Sequence, residues 1–232
     1  MPDLPGNAIH DYFFQESRKK LFVHDTFGPK VEMPVDFYFR DYKQMPELEK
    51  KALKLCKGKT LDIGAAAGSH ILELQKNNPE VYALEISPKA CEVMKSRKIE
   101  HIICEDFFKY EGQQFDTLLL MMNGIGISGN LEGFRDFLKK ADSLLNENGQ
   151  IVFDSCDISY MYEDIPFPEN YYYGEVQCRY EYSGALTDWF RWLYLDKNTM
   201  KSIVESENWR AEIVFEDENN QYLAVLSRNS EL

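Results

Sequence analysis

This 232-residue chain contains no CxxC pair, no excess of basic residues and no apolar run approaching the roughly 20 residues that cross a bilayer. Each absence excludes something. The cysteines Cys56, Cys91, Cys104, Cys156 and Cys178 are odd in number and widely spaced, which argues against a disulfide framework and a thiolate metal site. The longest apolar stretches, such as Phe115 to Met122, are too short for a membrane span, so no membrane partner is expected. The opening MPDLPGNAIHDYFF lacks a basic start followed by an apolar core; no secretory signal is expected, and the cytoplasm is the expected location. With 26 basic against 39 acidic residues, the formal charge of -13 opposes the counterion release that drives nucleic-acid binding. Nucleic acid is therefore not an expected partner.

What is present is 44% hydrophobic content, enough for a substantial core in one large domain spanning 1–232. Residues 1–45, with Pro2, Pro5, Pro29 and Pro34, read as a short helix and irregular segments forming an N-terminal cap. MPELEKKALKLC carries apolar residues at helical spacing after Pro46. From Thr60 strands and helices alternate: TLDIG, a helix from about Ser69 to Asn77, VYALEI, a helix from about Pro88 to Arg97, IEHIICED, FDTLLLMMN, a helix over Leu131 to Leu145, and QIVFDS. Strands joined by helices predict an α/β fold with a doubly wound, mostly parallel sheet over 46–157. In 158–195, the alternation Val176, Cys178, Tyr180, Tyr182 before Ser183-Gly184 predicts an inserted aromatic-rich antiparallel hairpin. Residues 196–232 then read as a closing helix and an antiparallel pair.

LDIGAAAGSH ends an apolar strand in small residues, Gly64, Ala65, Ala66 and Gly68, ahead of a helix start. Such a turn lets backbone amides approach a ligand, and it also serves as an ordinary strand-to-helix turn. Glu85 follows about 20 residues later at the tip of the next strand, where a carboxylate can accept from ribose hydroxyls or stand as a solvated strand-end charge.

With these residues in place, the chain from about Met45 to Arg228 resembles class I S-adenosylmethionine-dependent methyltransferases of the small-molecule type. LDIGAAAGSH is similar to their first motif, ALEISPKA to the acidic second-strand motif, and CEDFF and FDTLLLMMNGIG to the third and fourth. LLNENGQIVFDS resembles their fifth-strand segment and EIVFEDENNQYLAVL their closing hairpin. The departures are Ala66 in place of the middle glycine and Glu147-Asn148 in place of Pro-Gly.

The resemblance implies a Rossmann-like, seven-stranded, mostly parallel sheet with an antiparallel C-terminal hairpin strand, and S-adenosylmethionine as cofactor. It implies that Asp62, Gly64, Ala65, Ala66 and Gly68 cradle the methionine and ribose, that Glu85 with Ile86 takes the ribose, and that Glu105, Asp106 and Phe107 take the adenine. Met122, Asn123 and Gly124 would face the transferring methyl, while Tyr38, Arg40 and Tyr42 from the cap would close over the cofactor, Arg40 pairing with its carboxylate. Asn123 and Asp154 are the candidate catalytic residues, Asp154 as a substrate-contacting acid or base at the end of the fifth strand. His70 and His101 are expected to be structural, and no metal is expected because Asn123 to Asn130 carries no carboxylate.

The expected acceptor is a small molecule with an oxygen or nitrogen nucleophile, received by the aromatic residues Tyr160, Tyr162, Phe167, Tyr171, Tyr172, Tyr173, Tyr180, Tyr182, Trp189, Phe190, Trp192 and Tyr194. The alternatives for these rings are a hydrophobic hairpin core or a homodimer surface. For the whole chain, the alternatives are an NAD-dependent oxidoreductase, disfavoured by Ser69 and the lack of a Tyr-x-x-x-Lys pair, and a catalytically silent binding protein of the same fold.

Overall fold

The computed structural model describes residues 2–15 and 18–229. Helix α1 (Leu4–Phe14) starts where the Asp3 carboxylate accepts from Gly6 N at 2.9 Å and Pro5 sits in the first turn. Strands β1 (Leu21–His24) and β2 (Val31–Met33) follow, then helix α2 (Glu47–Leu55), which buries Leu48, Ala52 and Leu53 at helical spacing. The alternating stretch runs β3 (Thr60–Ile63), α3 (Ser69–Leu74), β4 (Val81–Leu84), α4 (Pro88–Ser96), β5 (Ile102–Ile103), β6 (Phe115–Leu120), α5 (Leu131–Leu144) and β7 (Leu145–Cys156). Side-chain caps fix these helices: Ser87 Oγ accepts from Ala90 N at 3.0 Å and Asn130 Oδ1 from Gly133 N at 2.7 Å. The chain ends with β8 (Glu175–Tyr182), β9 (Ala185–Leu186), β10 (Phe190–Leu193), α6 (Lys197–Ser206), β11 (Trp209–Glu216) and β12 (Gln221–Arg228).

The larger sheet has seven strands in the order β11-β12-β7-β6-β3-β4-β5. β4 pairs with β5 and β6 with β7 in parallel; β12 runs antiparallel to both β7 and β11. This is the expected Rossmann-like, mostly parallel sheet with an antiparallel closing strand. β5 is shorter than IEHIICED suggested, as suits an edge strand.

Contacts divide the chain into two compact units, Met1–Met45 with Asp62–Tyr110 and Gln177–Phe190, and Pro46–Leu61 with Glu111–Val176 and Arg191–Leu232. In the first, Leu4, Ala8, Ile9, Leu21, Val35, Ala67, Val93 and Tyr182 form one core cluster. In the second, Phe134 packs on Phe137 and Phe153, and Phe153 meets the ring of the fully buried Tyr222 edge-on at 6.5 Å.

Two features differ from the sequence expectation. The N-terminal segment is more than a helix with irregular chain: β1 pairs antiparallel with β2 and with β8, so His24 lies opposite Arg179 in a second sheet. Strands of four and three residues are too short to show a period. The inserted hairpin does turn at Ser183 and Gly184, whose φ values of 52° and 81° are those of a two-residue hairpin turn with both residues left-handed. Its second arm is interrupted after β9, because Thr187 turns its hydroxyl to accept from Tyr180 N at 2.9 Å.

Candidate functional site

β3 is buried along its whole length and delivers Asp62, itself buried, to the loop that follows. The loop folds back on the end of β4: Gly64 N and Ala65 N both donate to Leu84 O, at 2.8 and 3.3 Å. Gly64 and Gly68 are left-handed, with φ of 75° and 78°, for different reasons. A Cβ on Gly64 would meet nothing within 4 Å, so its open face borders free space; a Cβ on Gly68 would lie 2.0 Å from Ile99 Cδ1. Gly68 is therefore a packing glycine, and Gly64 is the one that leaves room. Ala66 is also left-handed, at φ 50°, a conformation that costs an L-residue about 1–2 kcal/mol.

Glu85 organises this loop. Its Oε2 accepts from Ala66 N and its Oε1 from Ser87 N, both at 2.8 Å. Burial is the largest influence on its carboxyl and raises its pKa; the two backbone donors pull the other way, and the negative charges of Asp3 and Asp62 add to the rise. Each oxygen keeps acceptor capacity beyond its one backbone donor. Ile86, immediately after it, is 67% exposed, a large apolar side chain left open beside a buried carboxylate.

Three residues that the sequence reading missed support this corner. Asp3 accepts from Ser87 Oγ at 2.6 Å, tying the start of α1 to the residue after Ile86. Arg97 donates to Ala67 O and lies 5.1 Å from the Phe39 ring, holding the loop from its far end. Ser87 was legible only as a helix cap. From the cap, Tyr38 O accepts from Ser69 Oγ at 2.6 Å, and burial, with Glu85's charge second, pushes the Tyr38 phenol up to about 12. Arg40 Nε donates to Phe37 O at 3.0 Å and its guanidinium lies over the Phe37 ring.

At the end of β5, Glu105 is exposed and its N donates to Glu85 O at 3.1 Å. Asp106 caps its own turn, accepting from Phe108 N at 3.0 Å, while Phe107 is buried and Phe108 half-exposed. His101 stacks on Tyr82 at 4.5 Å and His70 is buried in the first turn of α3.

In the second unit, Met122 and Asn123 follow β6 with φ of 59° and 55°, two successive left-handed residues without glycine, and Gly124 opens a short 3-10 turn. Asn123 N donates to both carboxylate oxygens of Asp154, at 3.1 and 3.0 Å. Its side chain donates to Leu193 O at 3.2 Å and accepts from Ser155 Oγ at 2.9 Å; Ser155 Oγ in turn accepts from Leu195 N at 3.0 Å. Met122 leaves 39% of its surface open.

The aromatic residues separate into groups. Tyr162, Phe167, Tyr172 and Tyr173 form a ring cluster, with Tyr173 donating to Asp157 and Tyr172 to Asp196, each at 2.8 Å. Burial raises both phenols. Trp192 packs against Gly126, where a Cβ would stand 2.1 Å from its indole nitrogen. In the first unit, Tyr180 packs on Phe190 at 5.1 Å and the buried Tyr182 donates to Asp11 at 3.0 Å. Tyr160, Tyr171 and Trp189 are exposed.

A methyltransferase-domain family model matches residues 61–153. Among solved structures, the chain is similar to an S-adenosylmethionine-dependent methyltransferase from Bacteroides fragilis in complex with S-adenosyl-L-homocysteine. That match has 36% identity and a TM-score of 0.89 over 98% of this chain and 97% of that one. The CcbJ methyltransferase from Streptomyces caelestis aligns at 12% identity and TM-score 0.63, covering 82% and 95%. The sugar N-methyltransferase KedS8 from Streptoalloteichus aligns at 13% and 0.56, covering 88% and 96%. No curated protein matches the chain.

Proposed function

Because the chain belongs to the S-adenosylmethionine-dependent methyltransferase family, we propose that it transfers a methyl group from S-adenosylmethionine to a small-molecule acceptor through an oxygen or nitrogen nucleophile. The observation that carries the reading is the Gly64–Glu85 corner. It combines free space over a left-handed glycine, a buried carboxylate with acceptor capacity left, and an exposed apolar Ile86 beside it. These residues fit the group: Glu85 would accept from the ribose hydroxyls, Gly64 would let the backbone pass close to the methionine portion, and Ile86 would cover one face of the adenine. Asp62, Ala65, Ala66 and Gly68 shape the loop, while Glu105, Asp106 and Phe107 would border the base.

When bound, S-adenosylmethionine supplies an electrophilic methyl on a sulfonium that leaves without help from a protein acid. The chain's work is alignment and exclusion of water. In the second unit, Met122, Asn123 and Gly124 are the proposed contacts at the reacting end. The tyrosine cluster of 158–195 is the proposed wall of the acceptor pocket, its aromatic faces suiting rings or amines. Tyr38 and Arg40 are the proposed cap contacts, Arg40 through its guanidinium, whose Nε also donates to Phe37 O. Five free thiols and the absence, among the described residues, of a helix able to cross a membrane support a cytoplasmic enzyme.

Calorimetric titration of the purified protein tests the reading. Saturable binding of S-adenosylhomocysteine with no response to NAD is expected; NAD binding without adenosyl-ligand binding would overturn it. A screen of phenols and amines for S-adenosylhomocysteine release then separates an active enzyme from a silent relative.

A further inference from the structure

Asp154 stands where open α/β sheets present their ligands, which makes a proton-transfer role the obvious one. The geometry gives it other work. Both of its oxygens face the Asn123 amide, at 3.1 and 3.0 Å, and it is buried with 6% of its surface open. Its neighbour Ser155, at 1% exposure, holds the other end of the same residue. Leu195 N donates to Ser155 Oγ and the hydroxyl donates to Asn123 Oδ1, with the Tyr222 phenol also within reach of Ser155; Asn123 Nδ2 donates to Leu193 O. Consecutive residues of β7 thus grip Asn123 from main chain and side chain at once.

What they hold is a strained turn. Met122 and Asn123 both occupy the left-handed region, which Asn tolerates and the longer Met side chain disfavours. Such strain persists only where the surroundings over-determine it, and it is concentrated at functional sites. The same hydrogen bonds continue outward: Leu195 precedes Asp196, which caps α6 through Asn198 N and Thr199 N and accepts from Tyr172 of the ring cluster. The turn after β6 and the tyrosine cluster are therefore joined through Ser155 by one unbroken chain of hydrogen bonds and covalent links within the second unit.

We propose that Asp154 and Ser155 are a positioning pair that fixes the Met122–Asn123–Gly124 turn for the reacting end of the cofactor. The proposal rests on the methyltransferase reading above. It identifies Ser155 as necessary for ligand binding although its hydroxyl is spent inside the protein.

The test uses the full chain with S-adenosylhomocysteine as probe, titrated by calorimetry between pH 6 and 9. Unfolding temperature and amide exchange at Asn123 and Leu195 are measured without ligand. Asp154→Ala and Ser155→Ala are expected to bind at least ten-fold more weakly and to exchange faster at Asn123. Asp154→Asn, which keeps an acceptor oxygen and cannot serve as a base, and Ser155→Thr, which keeps the hydroxyl, are expected to bind within three-fold of the parent at every pH. A merely structural role would lower the unfolding temperature of the alanine variants and leave their affinity unchanged, which would overturn the proposal. So would a ten-fold loss in Asp154→Asn. Should Asp154→Ala fail to fold, the Ser155 pair decides. Failure of the parent to bind the probe would instead refute the methyltransferase reading, and unchanged exchange at Asn123 in Ser155→Ala would still refute the clamp.

Discussion

Gly64→Ala separates a cofactor cradle from a structural turn, because the structure assigns its two costs to different measurements. The backbone there has φ 75°, so an added Cβ costs about 1–2 kcal/mol in the folded state, and the stiffer unfolded chain returns about 0.4–1 kcal/mol. The net loss of roughly 1 kcal/mol corresponds to a fall of about 2–4 °C in unfolding temperature for a chain of this size. No clash adds to it, since the new methyl meets nothing within 4 Å of the protein itself. If the free space is where the cofactor lies, the methyl collides with the ligand instead. Overpacking of that kind costs about 1–3 kcal/mol, or roughly a 5- to 150-fold rise in the dissociation constant of S-adenosylhomocysteine. Differential scanning calorimetry without ligand and isothermal titration with it give the two numbers. A variant that loses a few degrees yet binds the ligand as the parent does would refute the placement of the cofactor over Gly64.

Gly68→Ala should behave in the opposite way: its methyl would stand 2.0 Å from Ile99 Cδ1, and urea unfolding should show a loss of about 2–4 kcal/mol from overpacking and left-handed strain together. Glu85 has a folded-state pKa above its unfolded one, so its contribution to stability is fully present below the unfolded pKa and is lost as pH rises through the folded pKa. The ligand-free unfolding temperature of the parent, measured against Glu85→Gln, should therefore decline with rising pH across that window; a difference independent of pH would contradict the burial of the charge. Tyr38, pushed up to about 12, should ionise well above the ordinary tyrosine value of about 10, and ultraviolet difference spectra of the parent against Tyr38→Phe should locate its absorbance change near pH 12. Asp3→Ala removes the cap of α1 and the acceptor for Ser87 Oγ, at a cost of about 1 kcal/mol or more, and should speed amide exchange in α1 before any other helix.

The alternating core was legible because its signals are local. TLDIG, VYALEI and FDTLLLMMN carry their own apolar runs, and Ser87, Asn130 and Asp196 mark their helix starts by capping chemistry. The position of Glu85 was legible from spacing alone, but its partners were not: the Ala66 amide, 19 residues away, becomes a donor only once the loop turns back on Leu84. Asp3 reaches Ser87 across 84 residues and Arg97 reaches Ala67 across 30, distances at which sequence pattern carries no information. Arg40 shows local contacts that its charge alone did not suggest. Its Nε and guanidinium face meet a carbonyl and a ring three residues back, at Phe37.

The pairing of β1 with β8 has a bearing on how the chain acquires its structure during synthesis. His24 and Glu181, 2.7 Å apart in the finished protein, are separated by 157 residues. At about 5–20 residues per second, the strand at Leu21–His24 leaves the ribosome about 10–30 s before its partner exists. Over that interval β2 can cover one edge of β1 while the edge that takes β8 stays open to other chains, and the second sheet closes only after the long separation is spanned.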